Sequence, residues 1–192
     1  MATSDSNMLT FGYSGKIGNM ILRHFGGRSV LSKAPDFENV KWSKAQKANR
    51  KRFSQAMQWA RKAMNDPELR EFYKKKAKRN QTAWNAAVSD FMIRPEISEI
   101  DTNEYRGQAG DTIRIRAFDK FRVTAVIVTI LTSQGYEVES GMAVQMWDGQ
   151  WMYEAKEVNP GWKEGRIAVV AYDNPGHFVK SEVRIRNLRY RS

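Results

Sequence analysis

Residue types able to do chemistry are few in this chain, and they are scattered. There is no Cys, so a thiolate metal site, a Cys nucleophile and a disulfide framework are excluded. The two histidines, His24 and His177, lie one in each half. They leave nothing for a multi-histidine metal site and no reason to assemble a Ser-His-Asp triad. Ser14-Gly15-Lys16 has the ending of a phosphate-binding loop, but the upstream Gly is absent and no strand-to-helix passage follows. Asp101, Asp111 and Asp119 sit near loops and offer hard oxygen ligands for Ca²⁺. Their spacing matches no recognised calcium loop, so ordinary loop acids are the simpler reading. No catalytic, cofactor-binding or metal-ligating residue is assigned. The chain reads as a non-enzyme, and no cofactor is expected.

What stands out instead is where the charge lies. The chain carries +11, but residues 1–95 hold 19 Lys and Arg against 7 Asp and Glu, a net +12. Residues 96–192 hold 13 against 14, a net −1. All the excess positive charge is in the first half. The second half is richer in β-branched alternation, and the shift falls at Arg94-Pro95, where proline disfavours helix at the residue before it. This predicts two domains: a β-hairpin and basic two-helix region over 1–94, and a β-sandwich over 95–192.

Apolar residues make up 41% of the chain, which suffices for a core and excludes wholesale disorder. The stretch Val126–Leu131 is too short to span a bilayer, and the polar start Met1–Asn7 lacks the basic and apolar regions of a signal peptide. The expected setting is cytoplasmic, or export and assembly by a signal-independent route, without membrane insertion.

Three elements must position the basic residues. Residues 11–19 hold three Gly and read as a loop. Two short apolar runs around Gly26-Gly27 then predict a β-hairpin over Met20–Ser32. Ser43 caps a helix to about Met64. On a helical wheel Ala48, Phe53, Ala56, Met57, Trp59, Ala60 and Met64 share one face. Lys44, Lys47, Arg50, Lys51, Arg61 and Lys62 share the other, with Arg52 the exception. Asp66-Pro67 caps a second helix running to about Phe91. Tyr73, Ala77, Asn80, Trp84, Ala87 and Phe91 form its seam, where Asn80 would fix register. Lys74, Lys75, Lys78 and Arg79 crowd its outer side. The two helices should pack as an antiparallel hairpin.

These ten cations have two readings. They are either a solvated helix surface or a polyanion-binding surface that releases counterions from a phosphate backbone without reading sequence. Their segregation to one half favours the second. The hairpin, with Met20, Leu22, Phe25 and Val30 among its apolar groups, carries too much apolar surface for a free ribbon, and is expected to dock either on the chain's own helices or, as a self-association element, against a further copy.

From Pro95 the period changes to two. Strands are expected at 96–100, 112–117, 121–131, 136–146, 150–155, 166–172 and 178–185. Seven strands in under 100 residues predict an immunoglobulin-like sandwich, with Trp151 and Tyr153 filling the place of the disulfide. The fold class is thus α+β.

Two resemblances reach further. Ala117-Phe118-Asp119, Trp151-Met152-Tyr153 and the tract Ala171-Tyr172-Asp173-Asn174-Pro175-Gly176-His177 resemble bacterial Ig-like or fibronectin type III-like domains, with His177 where Asn is usual. The likeness covers about residues 95–190 and implies a generic protein-contact module. The tract GYSGKIGNMILR, the run GGRSVLSKAP, and Gln46 with Arg50-Lys51-Arg52-Phe53 and Ala83-Trp84-Asn85-Ala86-Ala87 resemble a group of uncharacterised bacterial proteins without an established activity. That group implies shape only. The expected function is a structural, assembly or adaptor protein with a basic helical face for a polyanion, the alternative being a sequence-nonspecific nucleic-acid-binding protein. Expected partners are a further copy of the chain, another protein, or the backbone of DNA or RNA.

Overall fold

The computed structural model describes residues 2–4, 14–25, 28–36 and 41–185. Strands β1 (Ala2–Ser4), β2 (Gly15–Ile17), β3 (Met20–Phe25) and β4 (Arg28–Lys33) form one antiparallel sheet in the order β1-β4-β3-β2. The expected hairpin is its centre: Leu22 faces Leu31 and Phe25 faces Arg28 across β3 and β4. The Gly26-Gly27 turn lies outside the described residues. Strands β1 and β2 were not expected. Gly18, at φ +57°, opens a two-residue turn from β2 into β3 of the kind that needs Gly first. So Gly15–Ile17 is strand rather than loop.

Three helices follow, not two: α1 (Lys44–Asn65), α2 (Pro67–Lys76) and α3 (Ala83–Phe91). Ser43 and Gln46 cap α1 reciprocally: Ser43 Oγ accepts from the Gln46 amide at 3.2 Å and Gln46 Oε1 from the Ser43 amide at 2.8 Å. Asp66 Oδ1 accepts from the Glu68 and Leu69 amides and starts α2. The expected second helix ends at Lys76: its C-cap Ala77 turns extended, and Asn80 then stands at φ +65°, a left-handed conformation that Asn tolerates and a helix does not. Thr82 then caps α3 through the Asn85 amide at 3.2 Å. Asn80 is exposed and fixes no register.

The second half is a β-sandwich. Strands β5 (Glu96–Asp101), β6 (Thr112–Phe118), β9 (Val144–Gln145) and β10 (Trp151–Glu154) make one sheet, ordered β5-β6-β10-β9. Strands β7 (Val123–Leu131), β8 (Glu137–Met142), β11 (Arg166–Asp173) and β12 (Phe178–Arg184) make the other, ordered β12-β11-β7-β8. This is the strand order of an immunoglobulin-type sandwich. The expected strand over 136–146 divides at the buried Ala143, where the chain changes sheets. Ile113, Ile115, Val126, Val128, Ile130, Ile167 and Val169 fill the core with Trp151 and Tyr153, in the place expected of them.

The chain divides into two compact units, Met1–Lys47 and Ala48–Ser192. The expected division at 94/95 falls inside the second. There Phe121, from the turn before β7, is buried among Ala60, Ala63, Tyr73, Ala86 and Ala87 of the helices. Arg122 lies over the Phe72 ring at 4.9 Å, and Lys120 Nζ reaches Ser89 Oγ at 3.3 Å. Truncating a buried Phe costs about 3–5 kcal/mol. Phe121→Ala should therefore lower stability by about that much. Helical and β-sheet circular dichroism signals should still melt together in one transition. Two separated transitions would show that helices and sandwich fold independently.

Candidate functional site

All ten predicted polyanion-binding residues are exposed. Lys44, Lys47, Arg50, Lys51, Arg61 and Lys62 stand on α1, and Lys74 and Lys75 on α2. α2 ends at Lys76 and leaves Lys78 and Arg79 off the helix, so these four cations do not share one helical face. Lys74 meets Glu71 at 3.5 Å in an exposed pair of small energetic weight. The sequence of α1 holds seven Lys and Arg over 22 residues and no acid. Arg52, the exception on the wheel, has a structural job. Its Nη2 donates to the Met92 carbonyl at 3.0 Å, placing a cation at the C-terminal end of α3.

The apolar face of α1 is narrower than the wheel predicts. Ala56, Ala60 and Ala63 are buried, but Phe53 remains 51% exposed, Met57 38% exposed, and Ala48 is exposed too. An open groove there is lined by Asn49, Arg50, Phe53, Ser54 and Met92. An exposed aromatic thus stands among the cations, where a buried one was expected.

The four residues expected in self-association separate. Leu22 is buried at 3% exposure and Val30 is partly buried. Met20 is 47% exposed, and its neighbour across the turn, Ile17, is 60% exposed. The side chain of Phe25 lies outside the described residues.

The acids considered for calcium bind backbone instead. Asp101 Oδ1 accepts from the Asn103 amide, Asp111 Oδ2 from the Arg106 and Gln108 amides, and Asp119 Oδ1 from the Phe121 and Arg122 amides. His177 closes the β11–β12 turn. Its Nδ1 lies 3.1 Å from Asp173 Oδ2, its amide donates to Asp173 Oδ1 at 2.6 Å, and its ring meets Phe91 edge-on at 4.5 Å.

One cluster escaped the sequence reading. Tyr73 donates its hydroxyl hydrogen to Asp90 Oδ2 at 2.5 Å, and Trp59 Nε1 donates to the Tyr73 oxygen at 3.3 Å. Both Tyr73 and Asp90 are fully buried. Burial pushes the Asp90 carboxyl from 3.8 up to about 6, against the Tyr73 bond, with the charges of Asp119 and Asp173 adding to the rise and Asn174 opposing it. Burial, the Asp90 bond and its charge together push the Tyr73 hydroxyl well above its usual range. Arg122 Nη2 donates to Asn174 Oδ1 at 2.8 Å, while Asn174 Nδ2, Asp90 Oδ1 and Asp119 Oδ2 have no partner within hydrogen-bonding geometry among the described residues. The Asp90 carboxyl is closed off from solvent. Its acidic spelling at the edge of an apolar seam, one residue before Phe91, was the available signal.

A carboxyl whose folded-state pKa is raised binds its proton more tightly in the folded chain. Its stabilising contribution is full below the unfolded value and is lost as pH rises through about 6. Urea melts at successive pH values should show stability falling over that window. Asp90→Asn should flatten the fall and be no less stable at pH above it. Asp173, whose carboxyl burial also pushes up, leaves a residual slope. An unchanged slope in Asp90→Asn would contradict this account.

No protein-family model and no curated protein matches the chain. Over part of its length it is similar to the solved structure of CopC from Methylosinus trichosporium, at 16% identity over 46% of this chain and 88% of that one, with a TM-score of 0.35. It is similar to an engineered protein at 15% identity over 53% of this chain and 26% of that one, TM-score 0.33. It is also similar to a conjugative transposon lipoprotein from Bacteroides eggerthii at 14% identity over 50% of this chain and 97% of that one, TM-score 0.27. At identities and scores this low, readings of function rest on the chain's own geometry.

Proposed function

We propose that the chain is a non-catalytic assembly or adaptor protein. The Ig-like sandwich and the N-terminal sheet make its protein contacts, and α1 presents a basic surface to a polyanionic partner. The observation that carries this is α1 itself: seven cations, no acid, and every predicted polyanion-binding position on it exposed. A helix that is merely solvated intersperses both signs, so that cations three or four apart meet acids. Here such pairs are like-charged, which destabilises the helix, and a polyanion would relieve that repulsion. Nonspecific binding to the backbone of DNA or RNA is the alternative form of the same surface, since exposed cations position a phosphate chain without reading its sequence. The non-catalytic reading is supported by the enclosure of Asp90 and by the backbone turns that occupy the loop acids.

The full chain should bind heparin and duplex DNA with an affinity that falls steeply with salt. Reversing Lys47, Arg50 and Lys51 to Glu should weaken binding by about tenfold or more and flatten the salt slope by about three units. Reversing Lys74, Lys75 and Lys78 should weaken it less, because the helix break separates them. Binding that is absent at low salt, or untouched by either set, would make the basic surface a solvated one.

Self-association has its own observation. Ile17 and Met20 are exposed side by side on a sheet whose edge strands are β1 and β2. Unpaired edges template strand addition. Sedimentation at high concentration should give a mass above the 22.2 kDa monomer. The double variant Ile17→Lys with Met20→Lys should return it to the monomer mass without lowering the melting temperature. A wild-type chain that stays monomeric would remove this role.

A further inference from the structure

Resting on the polyanion reading of α1, we infer that the groove at Phe53 receives an unstacked nucleobase, so that the polyanion is a single-stranded nucleic acid. Phe53 gives the groove an exposed aromatic face, and Met92 gives it an apolar wall. Asn49 supplies a donor and an acceptor on one amide, the combination that pairs with the edge of a base, and Ser54 adds a hydroxyl. Arg50 lines the same groove, three residues before Phe53 and so on the neighbouring turn of the helix. Lys51 stands next to it in sequence, and Arg61 and Lys62 continue the positive charge along α1. Cations that track a phosphate chain beside an aromatic plate for its bases are the two parts of a single-strand site.

Other polyanions use only one of these parts. A duplex keeps its base faces stacked and offers Phe53 nothing. Heparin has sulfates and no planar rings. An anionic membrane needs a long apolar stripe to sink into the headgroups. On α1, however, Ala56, Ala60 and Ala63 are spent on the core, and Phe53 and Met57 are too short a stripe. An acidic peptide would satisfy the cations but brings no obligatory ring to the groove.

The test uses the full chain at low salt against four probes: a labelled 20-nucleotide oligothymidine, a duplex of equal length, heparin, and phosphatidylglycerol vesicles. Oligothymidine should bind more tightly than the duplex or the vesicles. Phe53→Ala should weaken it by about 5- to 150-fold, the range for losing one stacked base, and leave heparin binding unchanged. Phe53→Trp should retain the affinity for oligothymidine, and circular dichroism should show both variants helical. If Phe53→Ala weakens heparin and oligothymidine alike, or neither, the base site is overturned while the polyanion surface stands. Tighter binding to duplex or vesicles than to oligothymidine overturns it as well. If none of the four probes binds, the polyanion surface itself fails, and the base site falls with it.

Discussion

The hydrogen bond between Tyr73 and Asp90 lies where the three helices meet the turn before β7. Tyr73 comes from α2, Asp90 from the end of α3, and Trp59 of α1 approaches from the other side. Phe121 packs against the Tyr73 ring edge-on at 6.0 Å. A buried carboxylate is tolerated only when it is hydrogen-bonded or protonated. Asp90 meets that condition through one oxygen, and its other oxygen, near the sandwich turns that bring in Asp119 and Asn174, has no hydrogen-bond partner among the described residues. The three helices therefore depend on the sandwich for more than apolar cover. Remove the turn that brings in Phe121 and Arg122, and the helical core opens where its most polar group sits.

The strands of the sandwich were legible because alternation is written directly into the residues. Thr112–Phe118 exposes Arg114 and Arg116 and buries Ile113 and Ile115, a pattern that only a half-buried strand produces. The helices were legible in existence but not in extent. The apolar spacing from Tyr73 to Phe91 runs unbroken through Asn80, so periodicity alone predicts one helix. The decision was local: Asn80 turns left-handed and Thr82 offers a fresh cap. That pair of residue types was visible, and the seam outweighed it. Strands β1 and β2 are three residues each, too short to show a period at all.

The basic surface was legible as charge and illegible as shape. A helical wheel assigns Phe53 and Met57 to the buried side because it assumes that the core runs the length of the helix. In the structure only Ala56, Ala60 and Ala63 reach full burial, all within the later half of α1. Which turns of a helix are covered depends on where its partners end, and that is a tertiary fact. The same limit hid Asp90, whose importance comes from Asn174, Asp119 and Asp173, residues far along the chain.

The change of sheet at Ala143 bears on how the sandwich behaves in a crowded solution. Because the chain crosses there, β8 and β9 are consecutive in sequence yet edge two different sheets, six and two residues long. Neither offers a long straight run of free amides and carbonyls, the geometry along which β-proteins zip into fibres. The hydrogen bond from the Ala143 amide to the Val126 carbonyl, at 2.8 Å, pins the crossing in place. The apolar side chains at this margin, Met142 and Val144, therefore sit on a corner rather than along a rail. At this margin the sandwich can expose them without offering a rail for open-ended stacking.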